Sequence, residues 1–425
     1  MTTVLSNSWA LMLGMLLLMI GNGLQGTVLG LRGAIEGYSA STMAWVMSAY
    51  FAGFLLGSRL APGMIRRVGH VRVFAALASL ISAAFILYAA VPEVWAWAAM
   101  RLLVGLCFSG VYVVAESWLN ESAMNETRGQ TLALYMIVQL TGIVTAQGLI
   151  NFADPGGYVL FVTMSVLVSV SFAPILLSVS PAPVFSVTKR MSLKELFDAS
   201  PLAMVGSFFL GFIFAAQFGM SSVYGTEKGL NVATITAFVA AFFVGGLLLQ
   251  YPIGWISDRM DRRRLIIYLT AVGAAVCVVS LIVPPHPLLL YAVAVAIGGL
   301  GNPLYSLVIA YVADYLDTED MASASSGLIF VNGLGAALGP FIIGWLMQAF
   351  GADAFFGFVA ATFLAITLFA LYRSTQRAAP AVEDTGLYTA VSPTSTVVAV
   401  EVATELAIEA AEESDTESDS KERSG

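Results

Sequence analysis

Long apolar runs separated by short polar breaks dominate the chain. Runs long enough to cross a bilayer occur at about 9–30, 42–60, 73–91, 94–117, 131–151 and 157–179. A polar segment at about 180–200 then carries Lys189, Arg190, Lys194, Glu195 and Asp198. Six more runs follow at about 202–224, 233–256, 265–283, 288–313, 322–349 and 353–373. A bilayer core of about 30 Å takes roughly 20 helical residues to cross, and a helix satisfies its own backbone there. The pattern therefore predicts an all-α integral membrane protein with twelve transmembrane helices. It divides into a six-helix bundle (1–180), a linker (181–201), a second six-helix bundle (202–373) and a tail (374–425). No Lys or Arg precedes Arg32, and the first run is too long for a signal peptide, so it reads as a retained span.

Composition supports lipid as the solvent. Of 425 residues, 58% are hydrophobic and 11% charged, against about 25% charged in a soluble domain. That excludes an ordinary soluble enzyme. Two cysteines (Cys107, Cys277) and two histidines (His70, His286) offer neither a disulfide scaffold nor a metal cluster. No metal, cofactor or nucleic-acid partner is expected. From Ser374 onward eleven acids face three bases, so the whole formal charge of −8 belongs to the tail. Thr389 to Val402 is rich in Val, Ser and Thr, and Glu412 to Glu422 is an acidic run. Such a tail reads as disordered and solvated. The alternative is a short amphipathic helix over Val398–Ala411 that docks on the membrane part or on a partner.

Basic residues set the orientation. With both termini cytoplasmic, sixteen Lys and Arg fall inside, while Arg32 and Lys228 fall outside. The two halves also align at an offset of 192 residues: Gln25 falls on Gln217, Gly37 on Gly229, Thr42 on Thr234 and Arg67 on Arg259. Parallel six-helix repeats are a transporter architecture, with the substrate site at the repeat interface.

Several motifs narrow this. The stretch Gly254-Trp-Ile-Ser-Asp258-Arg259-Met-Asp-Arg262-Arg-Arg264 closes the eighth run. It resembles the G-x-x-x-D-R-x-G-R-R loop signature of the major facilitator superfamily, with Asp261 in place of the second glycine. The first-half copy keeps Arg67 and Gly69 but has Arg66 where the family has aspartate. Arg101-Leu-Leu-Val-Gly105 is similar to the family's R-x-x-x-G element. Val114–Asn120, Arg128–Tyr135 and Gly335–Pro340 resemble the YcaD-like bacterial branch. The resemblance implies two pseudo-symmetric six-helix bundles, secondary transport by alternating access, and an inner-gate role for Arg67, Asp258, Arg259 and Arg262. The missing first-half aspartate breaks the symmetry of that gate. By contrast, Gly21-Asn-Gly23-Leu-Gln-Gly26 spells a dinucleotide fingerprint inside a spanning helix. Without a preceding strand it reads as small residues for helix packing.

Polar residues within the runs are the candidate chemistry, because a charge at mid-bilayer costs about 2.5–3.5 kcal/mol. On the fourth run Arg101, Gly105, Phe108, Tyr112 and Glu116 share a face. Arg101 and Glu116 lie roughly 22 Å apart along the helix, too far to pair. The first run presents Asn22, Gln25, Arg32 and Glu36; the seventh presents Gln217, Ser221, Tyr224 and Lys228. The substrate candidates are Asn22, Gln25, Arg32, Arg101, Tyr112, Gln217, Tyr224 and Asn302. Gln139, Gln147, Tyr305 and Asn332 are weaker ones. Structural bonding between helices is the competing role for Arg101 and for the amides. Glu116 is the candidate proton carrier, against an inner-end carboxylate bonded to the next loop. No Asp or Glu lies in the middle of a run, which favours an anionic, zwitterionic or neutral polar cargo.

The expected protein is a monomeric, multi-pass secondary transporter of a bacterial inner membrane, in contact with lipid. It moves a small polar molecule, coupled to protons carried by Glu116. Multidrug efflux is one alternative, although the fifth run lacks a Gly-Pro element. A transporter-like sensor or assembly partner is another.

Overall fold

The computed structural model describes residues 2–122, 128–174, 192–283, 286–316, 318–376, 388–400, 402, 403 and 406. The first half holds α1 (Thr2–Ile35), α2 (Ala40–Val68), α3 (His70–Ala90), α4 (Val94–Ser122), α5 (Arg128–Ile150) and α6 (Val159–Ser171). A short helix, α7 (Leu193–Ala199), precedes the second half and starts at a capping box between Ser192 and Glu195. The second half holds α8 (Pro201–Glu227), α9 (Val232–Ser257), α10 (Arg262–Ile282), α11 (Pro287–Ala313), α12 (Thr318–Phe350) and α13 (Ala354–Ser374). Eleven of these helices are long and apolar enough to span a membrane. The twelfth expected span is helical over the 13 residues of α6, and its last residues, 175–179, lie outside the described residues.

The repeat shows in the backbone. After α1, Gly37 has φ 76°, and after the equivalent helix α8, Gly229 has φ 67°. Both occupy the left-handed region that glycine enters without a Cβ penalty. Two residues later Ser39 and Asn231 cap α2 and α9, each accepting from the N–H three residues on (Thr42, 3.2 Å; Thr234, 2.8 Å). All three pairs obey the 192-residue offset.

Small residues bring the helix pairs together, as expected where lipid supplies no hydrophobic drive between helices. A Cβ on Gly53 of α2 would lie 1.9 Å from the Leu102 carbonyl oxygen of α4. Its repeat mate, Gly245 of α9, is equally close-set, 2.0 Å from the Val295 oxygen of α11. The glycines of the false fingerprint do the same work: Gly21 faces Val168 of α6, Gly23 faces Ile143 and Ala146 of α5, and Gly26 faces Phe218 of α8.

The two bundles pack directly on each other at the end that carries Arg32 and Lys228. There Asn151 Nδ2 donates to Thr236 Oγ1 at 3.0 Å, Ser222 packs on Gly30, and Trp45 meets Phe341 edge-on at 4.6 Å. At the opposite end, which carries the basic loops, residues 388–400 of the tail lie between the bundles. The fully disordered tail expected from composition is thus corrected for these residues. Their uncharged, Val-rich sequence finds an apolar, hydrogen-bonding site: Val391 and Val400 are buried, and 397–400 are helical. The described part of the expected Val398–Ala411 helix is helical at 398–400, 402, 403 and 406, and the rest lies outside the described residues.

Candidate functional site

The centre of the molecule holds a polar cluster where α1, α2 and α4 meet α8. Asn22 is its hub. Gln25 Nε2 donates to Asn22 Oδ1 (2.7 Å), Tyr50 OH donates to the same oxygen (3.3 Å), and Asn22 Nδ2 donates to Tyr112 OH (3.4 Å). Tyr112 OH in turn points at Met19 Sδ (3.1 Å). Arg101 is fully buried beside this cluster. Its guanidinium sits over the Tyr50 ring, 4.7 Å from the centroid, and Nη2 reaches Met47 Sδ at 3.3 Å. Among the described residues its Nε and Nη1 have no hydrogen-bond partner. Across the repeat interface Gln217 is buried with neither amide atom bonded among the described residues, and Gln25 Oε1 is also unpartnered among them. Buried polar groups are nearly always satisfied, so unpaired ones mark strain or a place for a ligand. A π-helical turn, Ala216–Met220, sets Gln217; such turns recur at functional sites.

Between this cluster and the basic-loop end runs a cavity that the tail largely fills. One remnant of about 40 Å³ is lined by Asn22, Tyr112, Gln139, Gln250, Asn302 and tail residues 391–394, with an aromatic wall of Phe214, Phe218 and Phe243. A second, of about 230 Å³, lies among Ser58, Arg59, Val113, Phe330 and tail residues 395–398. Glu116 stands at this end of α4, buried. Its Oε2 accepts the Thr396 N–H (2.8 Å) and the Thr396 hydroxyl (2.5 Å), and Oε1 accepts Tyr135 OH (3.3 Å).

Of the sequence candidates, Asn22, Tyr112 and Asn302 line this cavity, Gln25 is bonded to Asn22, and Arg101 and Gln217 are buried nearby without lining it. The structure does not bring Arg32 or Tyr224 there. Arg32 pairs with Glu36 one turn along α1 (2.6 Å) and donates to the Gly156 carbonyl of its own bundle. Tyr224 is packed among Phe238, Phe355 and Phe356, with ring centroids 5.1–5.6 Å away. The ring turns toward α9 and α13. Of the weaker candidates, Gln147 ties α5 to α1, accepting from Thr27 (2.9 Å) and donating to the Gly23 carbonyl (3.0 Å). Asn332 likewise ties α12 to the Ser207 carbonyl (3.0 Å). Both act as bonds between helices.

The loop-signature residues act within the second bundle. Arg262 bonds Ser257 Oγ (3.3 Å), the Ala310 carbonyl (3.1 Å) and the Asp314 carboxylate, joining the ends of α9, α10 and α11. The Arg262 and Asp314 side chains are each only 2% exposed, so this is a buried ion pair. Arg259 folds back on Trp255, with its guanidinium 4.2 Å from the ring centroid. Arg67 is exposed on the first bundle. Asp258 accepts the Tyr388 N–H of the tail at 2.7 Å. Burial pushes its carboxyl above the ordinary value, against the pull of that N–H and of the Arg262 and Arg259 guanidiniums.

Sequence reasoning missed Asp314 as the partner of Arg262, and it missed the tail residues in the cavity. The available signal for the tail was composition: Tyr388 to Val400 carries no charge in a segment otherwise crowded with acids.

These features describe an all-helical carrier built from two repeats around a shared cavity. The sequence model of the Major Facilitator Superfamily matches residues 11–247 and 203–404, and the chain belongs to that family. It is a multi-pass membrane protein and a transporter by family, not an enzyme. The uncharacterized MFS-type transporter YcaD of Escherichia coli is 25% identical over 369 residues, covering 85% of this chain and 94% of that protein. The crystal structure of the nucleoside transporter NupG matches with a TM-score of 0.70 at 13% identity, over 87% of this chain and 99% of that one. A bacterial homolog to the human lysosomal transporter Spinster, in an inward-facing and unoccupied conformation, gives a TM-score of 0.69 at 14% identity, over 96% and 98%. The family resemblance and its YcaD-like branch are borne out, as is the fold.

Proposed function

We propose that the chain is a secondary active transporter that moves a small polar organic molecule, anionic, zwitterionic or neutral, by alternating access around the central cavity. The observation that carries this is Arg101: a buried cation, with two guanidinium nitrogens unpartnered among the described residues, beside the unpartnered Gln25 Oε1 and the unpaired amide of Gln217. Groups of this kind recover their lost hydration by bonding a ligand. The two bundles meet at the Arg32 and Lys228 end, which the positive-inside rule makes the outer one. That arrangement is an inward-facing state in a bacterial inner membrane, with both termini cytoplasmic and the protein a monomer. Glu116, the carboxylate of the cavity, is the proton carrier. Arg67, Asp258, Arg259 and Arg262 shape the inner gate, with Arg262 holding the helix ends of the second bundle rigid as they move.

The test is a thermal-shift screen of the detergent-solubilised full chain against sugars, nucleosides, amino acids, organic anions and lipophilic cations, repeated with Arg101→Ala. A ligand that binds the native state raises its melting temperature by mass action. Stabilisation by a polar compound that disappears in a folded Arg101→Ala supports the reading. The aromatic wall of Phe214, Phe218 and Phe243 favours a second reading, multidrug efflux. Stabilisation by lipophilic cations alone, indifferent to Arg101, would transfer the assignment to it.

A further inference from the structure

We infer that residues 388–400 are a plug carried by the chain itself, which occupies the basic-loop half of the cavity and locks the two bundles in one arrangement. The inference rests on the reading of that cavity as the transport route.

The plug has the composition of an occupant. It is uncharged from Tyr388 to Val400, between Asp384 on one side and Glu401 on the other. A charged segment would pay heavily to enter a site with so little water, whereas Val, Ser and Thr enter once their hydrogen bonds are met. Those bonds are met, and by both bundles. On the second bundle, Tyr388 N–H donates to Asp258 (2.7 Å), and Gln250 Nε2 donates to Tyr388 OH (2.9 Å). Ser306 Oγ accepts the Val391 N–H and donates to the Val391 carbonyl, each at 2.9 Å. One hydroxyl thereby satisfies both backbone groups of a residue that is 1% exposed. On the first bundle, Glu116 accepts both the N–H and the hydroxyl of Thr396 (2.8 and 2.5 Å). Tyr388 also lies against Gly254, where a Cβ would come within 2.6 Å of its ring.

The mechanical consequence follows from that bridging. Alternating access moves the bundles by rocking, so the gap at one end closes as the other opens. A segment wedged in the gap and bonded to both sides must leave before that end can close. While it is seated it also takes up Glu116 and Ser306, groups that a ligand entering from this end would meet. The plug is therefore autoinhibitory, and its withdrawal is the activating step.

The test uses the full chain with Cys107→Ala and Cys277→Ala, and a reporter, Val113→Cys, on the cavity wall beneath the plug. Labelling by a water-soluble maleimide is timed with the plug intact, with Thr396→Ser, which keeps both donors to Glu116, and with Val391→Asp, which forces a carboxylate into the buried Val391 position. Labelling at least tenfold faster in Val391→Asp, and unchanged in Thr396→Ser, supports the plug. Equal rates in all three overturn it. Should Val391→Asp not fold, Ser306→Ala, which takes the partner hydroxyl from the Val391 N–H and carbonyl, is labelled in its place. Labelling at least tenfold faster than in the intact chain supports the seated plug, and an unchanged rate overturns it. Neither readout depends on a ligand, so a failed substrate screen would leave this result standing and count only against the transport reading.

Discussion

The two bundles share a backbone plan but not a charge plan. Gly53 and Gly245, Gly37 and Gly229, and the caps Ser39 and Asn231 are repeat mates with the same tight geometry. The buried charges have no such mates. Arg101 corresponds to Val293 and Glu116 to Val308, both valines buried in the second bundle. Conversely, Arg262 and Asp314 of the second bundle correspond to His70 and Ser122 of the first. Close helix packing allows no substitute for a missing Cβ, so both copies retain it. A buried charge is costly, so it is kept only where it binds something or holds something. On the proposed function the buried charges of the first bundle serve the cavity, whereas those of the second fix its own helix ends.

The symmetric part should break symmetrically and hardest. Gly53→Val and Gly245→Val each drive side-chain atoms into an opposing carbonyl oxygen, 1.9 and 2.0 Å from the new Cβ. Because the obstacle is backbone, each should exceed the roughly 1–3 kcal/mol usual for overpacking and keep the helix pair from closing, seen as loss of a monodisperse peak in detergent gel filtration. Equal loss in both halves is expected, and tolerance in one would show that the repeat has diverged in its packing. The asymmetric ion pair comes next. Arg262→Met removes one partner of a buried pair and should destabilise by about 3–5 kcal/mol. Adding Asp314→Leu should recover much of that in thermal melts, while His70→Ala should cost far less. Third, Arg101→Ala should abolish the shift given by a polar ligand with little change in the ligand-free melting temperature, whereas Val293→Ala should leave ligand binding unchanged. The smallest effect concerns pH. A carboxyl with a raised native pKa binds its proton more tightly in the folded state, so its contribution is present at low pH. That contribution is lost as pH rises from the ordinary aspartate range through the native pKa. Asp258 is such a group. Asp258→Asn should flatten the fall in melting temperature across that acidic window, and Arg66→Asn, at the repeat-equivalent exposed site, should not.

The sequence by itself determined the number and length of nearly all the spans, the two-fold repeat and its offset, and which polar residues sit inside the membrane. These follow from local rules: apolar length against bilayer thickness, the helical period, and the cost of burying charge. It also placed Asn22, Gln25, Arg101, Tyr112 and Gln217 on helix faces that the structure buries. Only the tertiary structure decided which face met which neighbour. Tyr224 shares a helical face with Gln217, yet packs into an aromatic cluster instead of the cavity. Arg32 is satisfied within its own bundle, and Arg262 finds Asp314, 52 residues away. The tail shows the limit most sharply. Composition assigned it to solvent, because a short uncharged segment has no core of its own to bury in. The cavity between the bundles supplies that core, and no local pattern in the sequence records where one part of a chain will find room in another.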